Sequence, residues 1–513
     1  MTNILSSKIK HFAVSAAAIL MVVAAGCNSR SSLTSLQDLK DAPREVGAIE
    51  GKVLEKIKMS PISDARVYVD GQPQHAAVSD KNGIFRIEGV PLGRYNVAMR
   101  AYGFEPDFVM NIDVTSDKKK AVDFLLNPVK VQVEKVVVLL VEFPDLRHKP
   151  EHNKAYFQKI LFSDDIGVSS LRNYVYEVSK GRIDIQLGKF VGWLVDEDYR
   201  SDGLEDSERD DIADFAIHAA EPSIDYSLFD SIQNYDRKPK PDGRVDHVMI
   251  IHAGEPQTMT AKKSDMNPTC MLNTEYVSGI KTSQQVFISE SAPLGNFVHE
   301  FFHDMGDRSV QDLYMGGDPP PATVGQWEVM SVGMYNPLDA LTPPYFDRVG
   351  YLPSYPLPWS MGRWYHGALR DAIGKTQKLS RGDKIELTIF PFETQSDNLK
   401  VVTIPLDETR EISVVVRQRL GFDRGLKGQG VLISKVDYSL AGSMNLLGPV
   451  RIEDAHPKSL LPTYLHFDYD YELDDAAFDV GPGKKSHYES EGVRIDVKEA
   501  NADGSYRVAF EVK

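Results

Sequence analysis

Hydrophobic and polar residues alternate over short runs at both ends of the chain and follow a longer rhythm in the middle. Within residues 46–128, Ile49-Glu50-Gly51-Lys52-Val53, Ala65-Arg66-Val67-Tyr68-Val69 and Ile84-Phe85-Arg86-Ile87 carry the period of two expected of half-buried strands. Asp70-Gly71, Lys81-Asn82-Gly83 and Leu92-Gly93 lie between or beside them as turn formers. This predicts an all-β sandwich. At residue 129 the texture changes. Lys135-Val136-Val137-Val138-Leu139-Leu140-Val141 is nearly continuous in apolar residues, the mark of a strand covered on both faces. Helical stretches are expected over 152–162 and 168–180, where Tyr174, Val175 and Val178 fall on one face. Asp246-His247-Val248-Met249-Ile250-Ile251-His252 reads as a second buried strand. Strands and helices in alternation indicate an α/β or α+β domain over residues 129–375. From 376 to 513 the pattern is β-rich again, through Lys384-Ile385-Glu386-Leu387-Thr388-Ile389, Ile412-Ser413-Val414-Val415-Val416 and a closing hairpin at Asp503-Gly504. Arg381-Gly382-Asp383 directly precedes a strand and reads as a turn, not as an integrin-binding tripeptide.

Residues 1–26 form a segment of another kind. Lys8, Lys10 and His11 precede the apolar run from Phe12 to Ala25, too short to span a bilayer well. It ends in Ala24-Ala25-Gly26-Cys27, which resembles the bacterial lipobox. The resemblance implies a lipoprotein signal peptide cleaved before Cys27, with Cys27 lipidated. Plain secretion with a chance cysteine is the alternative. Residues 27–45 are polar, serine-rich and unpatterned, as a linker would be. No later stretch has 18 consecutive apolar residues. The expected location is therefore extracytoplasmic, in the cell envelope, held to a membrane through the N-terminal lipid. Asn28 after Cys27 favours an outer membrane or the cell surface.

A formal net charge of −16 argues against nucleic acid as a partner. The second of two cysteines, Cys270, then has no intrachain partner and reads as a small half-buried thiol, in preference to a nucleophile or a cysteine-switch ligand.

The decisive pattern is His299-Glu300-Phe301-Phe302-His303. Histidines at i and i+4 stand one turn apart on one helix face, so both rings reach a single zinc at about 2.0–2.1 Å. Glu300 lies between them, off that face, where it can act as general base on the activated water. With 13 histidines in the chain, chance supplies this pattern only about one or two times in a hundred. Leu294, Val298, Phe301 and Met305 form an apolar stripe roughly opposite the histidines, and Gly306 supplies a helix stop.

Two wider resemblances accompany the motif. Asp80-Lys81-Asn82-Gly83-Ile84-Phe85 and Gly89-Val90-Pro91-Leu92-Gly93-Arg94-Tyr95 resemble the carboxypeptidase regulatory-like, transthyretin-like module, usually an accessory domain. Several segments in order resemble the immune inhibitor A-like metallopeptidases, which are zincins. They are Leu140-Val141-Glu142-Phe143-Pro144-Asp145, Leu171-Arg172-Asn173-Tyr174, Asp242-Gly243-Arg244-Val245-Asp246, the histidine motif, Asp312-Leu313-Tyr314 and Trp327-Glu328-Val329-Met330-Ser331. The resemblance implies a central zincin-like α+β metallopeptidase domain with Asp312 as third metal ligand and Met330 as the methionine beneath the metal. Three extra residues separate Gly306 from Asp312 relative to the family pattern, and Ser309 stands at the usual spacing. Asp307 and, more distantly, Glu328 therefore compete for the third position. Tyr335 is a candidate oxyanion donor by its nearness in sequence.

Asp230, Asn234, Asp236, Asp242 and Asp246 offer the oxygen ligands calcium prefers, with a solvated acidic turn as the competing reading. The expectation is a secreted, lipid-anchored zinc endopeptidase acting on protein or peptide, flanked by β modules. The alternatives are an inactive surface binding protein or adhesin on a zincin scaffold, and an assembly lipoprotein.

Overall fold

The computed structural model describes residues 45–513, apart from 117–119, 199–205, 235, 258–264, 272–274, 283, 307–309, 314–322, 338–349, 442–447 and 458–472. The expected signal peptide, Cys27 and almost all of the linker lie outside the described residues.

The N-terminal strands are β1 (Val46–Glu55), β2 (Arg66–Val69), β3 (Gln72–Val78), β4 (Ile84–Pro91), β5 (Gly93–Arg100), β6 (Asp107–Val114), β7 (Lys120–Ala121) and β8 (Phe124–Leu126). They make one sheet ordered β4-β1-β7, with β8 also on β1, and another ordered β3-β2-β5-β6. The alternation seen in sequence has its cause here. Phe85 and Ile87 of β4 join Val53, Val67, Val69 and Phe124 in one core, while Ile84 and Arg86 face outward.

The central sheet holds β9 (Gln132–Glu142), β10 (Ile183–Val195), β11 (His247–His252), β12 (Thr269–Met271) and β15 (Gln285–Ser289), with β13 (Tyr276–Val277) and β14 (Ile280–Lys281) as a small separate hairpin. Its order is β10-β9-β11-β15-β12. All neighbours are parallel except β12, which runs antiparallel to β15 at the edge. Helices α1 (Lys154–Phe162) and α2 (Leu171–Val178) fall between β9 and β10 in sequence, and α3 (Asp206–Ala220) between β10 and β11. The expected α+β segment thus has a mainly parallel sheet with crossover helices. Asn153 starts α1 by accepting from the N–H groups of Ala155 and Tyr156, and Ser170 starts α2 by accepting from Asn173. Strand β9 explains its own apolar run. Val136, Val138 and Leu140 pack with Phe157 and Leu161 of α1 and with Tyr174, Val175 and Val178 of α2. Val137, Leu139 and Val141 pack with Ile212, Ala216 and Ile217 of α3. Each such burial stabilises by about 1.5–3 kcal/mol relative to exposure.

The C-terminal strands are β16 (Lys375–Lys378), β17 (Lys384–Ile389), β18 (Leu399–Pro405), β19 (Arg410–Arg417), β20 (Gly430–Asp437), β21 (Val450–Ile452), β22 (His487–Ser490), β23 (Val493–Ala500) and β24 (Tyr506–Val512). They form sheets ordered β16-β18-β19-β20-β21 and β17-β24-β23-β22 around one apolar core. Arg381-Gly382-Asp383 is a turn ahead of β17, closed by Ser380 N–H donating to Asp383 at 2.8 Å.

Val46–Lys513 pack as one unit. Buried and half-buried charges tie its parts: Arg182 of the central region pairs with Glu105 at 2.6 Å, and Lys180 donates to the Glu393 carbonyl at 2.5 Å. Among the described residues no helix is long and apolar enough to cross a membrane.

Candidate metal centre

Helix α4 (Leu294–Met305) leaves the sheet just after β15. Its expected stripe of Leu294, Val298, Phe301 and Met305 is buried, but so are Phe297 and Phe302, and of its 12 residues only His303 is not fully enclosed. The helix is wrapped on nearly all sides instead of having one packed face and one open face. The loop that carries Met330 and Met334 covers the side facing the histidines. Two glycines make that wrapping possible. A Cβ on Gly295 would stand 1.7 Å from the Met334 carbonyl oxygen. At the other end Gly306 has a φ of −93°, so it is no left-handed cap. It is required because a Cβ there would lie 1.9 Å from Val310, where the chain turns back toward Asp312.

That return brings three of the expected residues together. The Nε2 atoms of His299 and His303 are 3.2 Å apart, and Asp312 Oδ1 lies 3.0 Å from the first and 3.1 Å from the second. His299, His303 and Asp312 are the one group of metal-ligand type found among the described residues. Backbone contacts set the triangle. The His299 Nδ1 faces the Val329 carbonyl at 3.0 Å, and a carbonyl only accepts, so Nδ1 carries a proton and Nε2 is the nitrogen turned toward the other two residues. The N–H of Leu313 donates to the Met330 carbonyl at 2.7 Å, which fixes the loop bearing Asp312. Met330 itself is fully buried in the core beneath.

A tetrahedral zinc with ligands at about 2.0–2.1 Å separates its ligand atoms by about 3.3 Å. The observed triangle is close to that. Two imidazole lone pairs and a carboxylate converging on one point repel unless a positive charge sits among them, so the donor set fits a divalent cation. The same crowding shifts the acid–base properties. Burial alone would depress His299, but Asp312 and Glu300 outweigh it and push the imidazole up to about 9. Burial likewise works against the Asp312 anion, yet the two histidines hold its carboxyl well below the usual range. Glu300 is raised, chiefly by burial, against the opposing pull of His299 and His303. Arg209, on α3, adds a positive charge near Glu300 and donates to the Asn267 carbonyl at 3.3 Å. Neither α3 nor Arg209 stood out in sequence.

Glu328 is spent elsewhere: its carboxylate accepts from Met330 N–H, Leu357 N–H and the Ser360 hydroxyl. Burial pushes it up to about 7. Asp307 and Ser309 lie outside the described residues. Tyr335 ends a 3-10 turn (Val332–Tyr335) and packs half-buried against the core. The acidic turn is folded on itself. Asp230 accepts from the N–H groups of Asp242 and Gly243, Asp242 from Asn234 and Arg244, and Asp246 from Ser231 and Ile232. Carboxylates committed to backbone donors in this way serve a turn, and they do not form a second ligand group. Cys270 lies on β12, half-buried, with its thiol 3.3 Å from Gln284 Oε1.

Residues 124–342 match the model of the immune inhibitor A peptidase M6 catalytic domain. Over this segment the chain is similar to the M6 peptidases. Residues 48–127, ahead of the M6 segment, match the carboxypeptidase regulatory-like domain. Immune inhibitor A of Bacillus thuringiensis subsp. alesti is 27% identical over 40% of this chain and 37% of its own length. The pre-pro-metalloprotease PrtV of Vibrio cholerae serotype O1 is 25% identical over 44% of this chain and 30% of its own length. The chain thus spans about a third of the length of these curated relatives. The helix with both histidines and the return to Asp312 fall within the M6 segment.

Proposed function

We propose that this chain is a zinc-dependent endopeptidase of the cell envelope, working outside the cytoplasm and anchored through a lipid on Cys27. The observation that carries the reading is the triangle of His299 Nε2, His303 Nε2 and Asp312 Oδ1, with sides of 3.0–3.2 Å, on the same helix as Glu300. These three residues would hold the metal. Zinc bound there supplies a Lewis acid that acidifies water and polarises a carbonyl. Glu300 takes the proton of the attacking water on its carboxylate and passes it to the leaving amine nitrogen. Its buried, raised carboxyl suits a base that must also give its proton back. The Val329 carbonyl holds His299 Nδ1, which turns Nε2 toward Asp312 and His303. Strand β12 ends the sheet order and runs antiparallel to β15. An extended peptide adds to that edge through main-chain hydrogen bonds, which favours protein substrates of loose sequence preference.

Full-length protein in detergent, assayed for zinc content and casein hydrolysis beside Glu300→Ala, tests the proposal. One zinc per chain in both, with turnover lost by about 100-fold or more in the variant, is expected. A chain that holds no zinc sinks it.

A further inference from the structure

We propose that Asp304, His247, Glu134 and Arg237 form a positioning cluster that sets the last turn of α4 and thereby aims His303 at the metal. The inference rests on His299, His303 and Asp312 being metal ligands. Its starting point is a difference between the two histidines. The ring of His299 is oriented by the Val329 carbonyl. Among the described residues His303 Nδ1 has no such partner, so the aim of His303 depends on where the helix backbone stands.

Behind His303 the backbone is held by a closed circuit. Asp304, the next residue, places its carboxylate on His247 Nδ1. His247 Nε2 lies 3.0 Å from Glu134 Oε2. The Arg237 guanidinium bonds that same carboxylate through Nη2. Its Nη1 then returns to the helix, donating to the Met305 carbonyl at 3.2 Å. Gln132 donates to the other Glu134 oxygen at 2.6 Å. All four side chains are 0–2% exposed. Both His247 nitrogens face carboxylates, so both carry protons and the ring is a cation. Two anions and two cations then close to a neutral set inside the protein.

The anchors are rigid. Glu134 stands near the start of β9 and His247 opens β11, and these strands are hydrogen-bonded neighbours. Arg237 takes a φ of +53°, a left-handed conformation disfavoured for a side-chain-bearing residue. Buried ion clusters seldom stabilise a fold better than apolar packing would. What they add here is direction. Apolar contacts at Phe301 and Met305 are non-directional, whereas bonds at Asp304 and at the Met305 carbonyl fix the helix's rotation and height together.

The test uses full-length protein in detergent and the variants His247→Gln and Arg237→Lys, each checked by circular dichroism. Zinc affinity is measured by competition with a chromogenic chelator, and the cobalt(II) form is read by its visible bands. The expected result is folded variants that bind zinc about tenfold more weakly or worse, with displaced cobalt bands. Folded variants with wild-type affinity and unchanged bands overturn the inference, as does failure of both to fold, which would assign the cluster to the fold alone. If the wild-type protein itself binds neither metal, the ligand reading fails first, and that result is distinct from the others.

Discussion

Two clusters of histidine and carboxylate flank the last turns of α4, and they differ in what their atoms point at. In front, His299, His303 and Asp312 aim three ligand atoms at one point, and the Asp312 side chain is 39% exposed. Behind, His247 sits between Asp304 and Glu134 with each ring nitrogen on a different carboxylate, and Arg237 completes the charge. Residue types are nearly the same. Convergence and access suit the first to a metal ion, whereas pairing and closure suit the second to an internal fastening. A motif search that counts histidines and acids cannot tell the two apart.

The largest expected contrast comes from His299→Ala. It removes one ligand and leaves the Val329 carbonyl without its donor. Zinc binding and peptidase turnover should both disappear, with an added stability loss of about 1–3 kcal/mol from the unpaired carbonyl. Metal analysis and urea unfolding check this, and retention of stoichiometric zinc would break the distinction between the clusters. Next comes a matched pair in zinc-free protein. Glu134→Gln leaves Arg237 and cationic His247 short of an anion in the interior and should cost about 3 kcal/mol or more. Asp312→Asn, where the carboxylate is partly solvated, should cost less than Glu134→Gln while sharply weakening zinc binding in titration. Equal stability losses in the two variants would mean that the front cluster also serves the fold.

How far sequence reached follows the same division. The i, i+4 spacing announced α4, and the apolar run of residues 136–141 announced β9, because both signals are local. Asp312 came from family resemblance and not from spacing, since the loop after Gly306 is longer than the family pattern. What places it is the bond from Leu313 N–H to the Met330 carbonyl, which spacing does not reveal. The rear cluster left no local trace. Its bonds join positions 57, 103, 68 and 113 residues apart, and His247 read only as part of a buried strand. The acidic turn is the reverse case. Its composition suited calcium, but composition cannot say that Asp230 and Asp246 are occupied by N–H groups of their own loop.

A smaller effect is expected from pH. Burial alone would lower His247, but Asp304 and Glu134 outweigh it and push the ring up to about 9. The folded state then binds this proton more tightly than the unfolded chain, whose histidines titrate near about 6.5. The stabilisation is fully present below about 6.5 and is lost as pH rises through about 9. Zinc-free wild type should therefore lose stability over that window more steeply than His247→Gln, as seen in thermal unfolding at a series of pH values. Parallel curves would show the ring to be neutral and the circuit to be misassigned.

The smallest expected effect sharpens the comparison from the front. Met330 is buried beneath the site, and its carbonyl, not its sulfur, does the placing, by accepting from Leu313. Met330→Leu keeps that carbonyl and nearly the same volume. Stability should change by less than about 1.5 kcal/mol, and zinc affinity should stay at the wild-type value. A clear fall in affinity with stability preserved would mean that the side chain, and not only the backbone of its turn, shapes the front cluster.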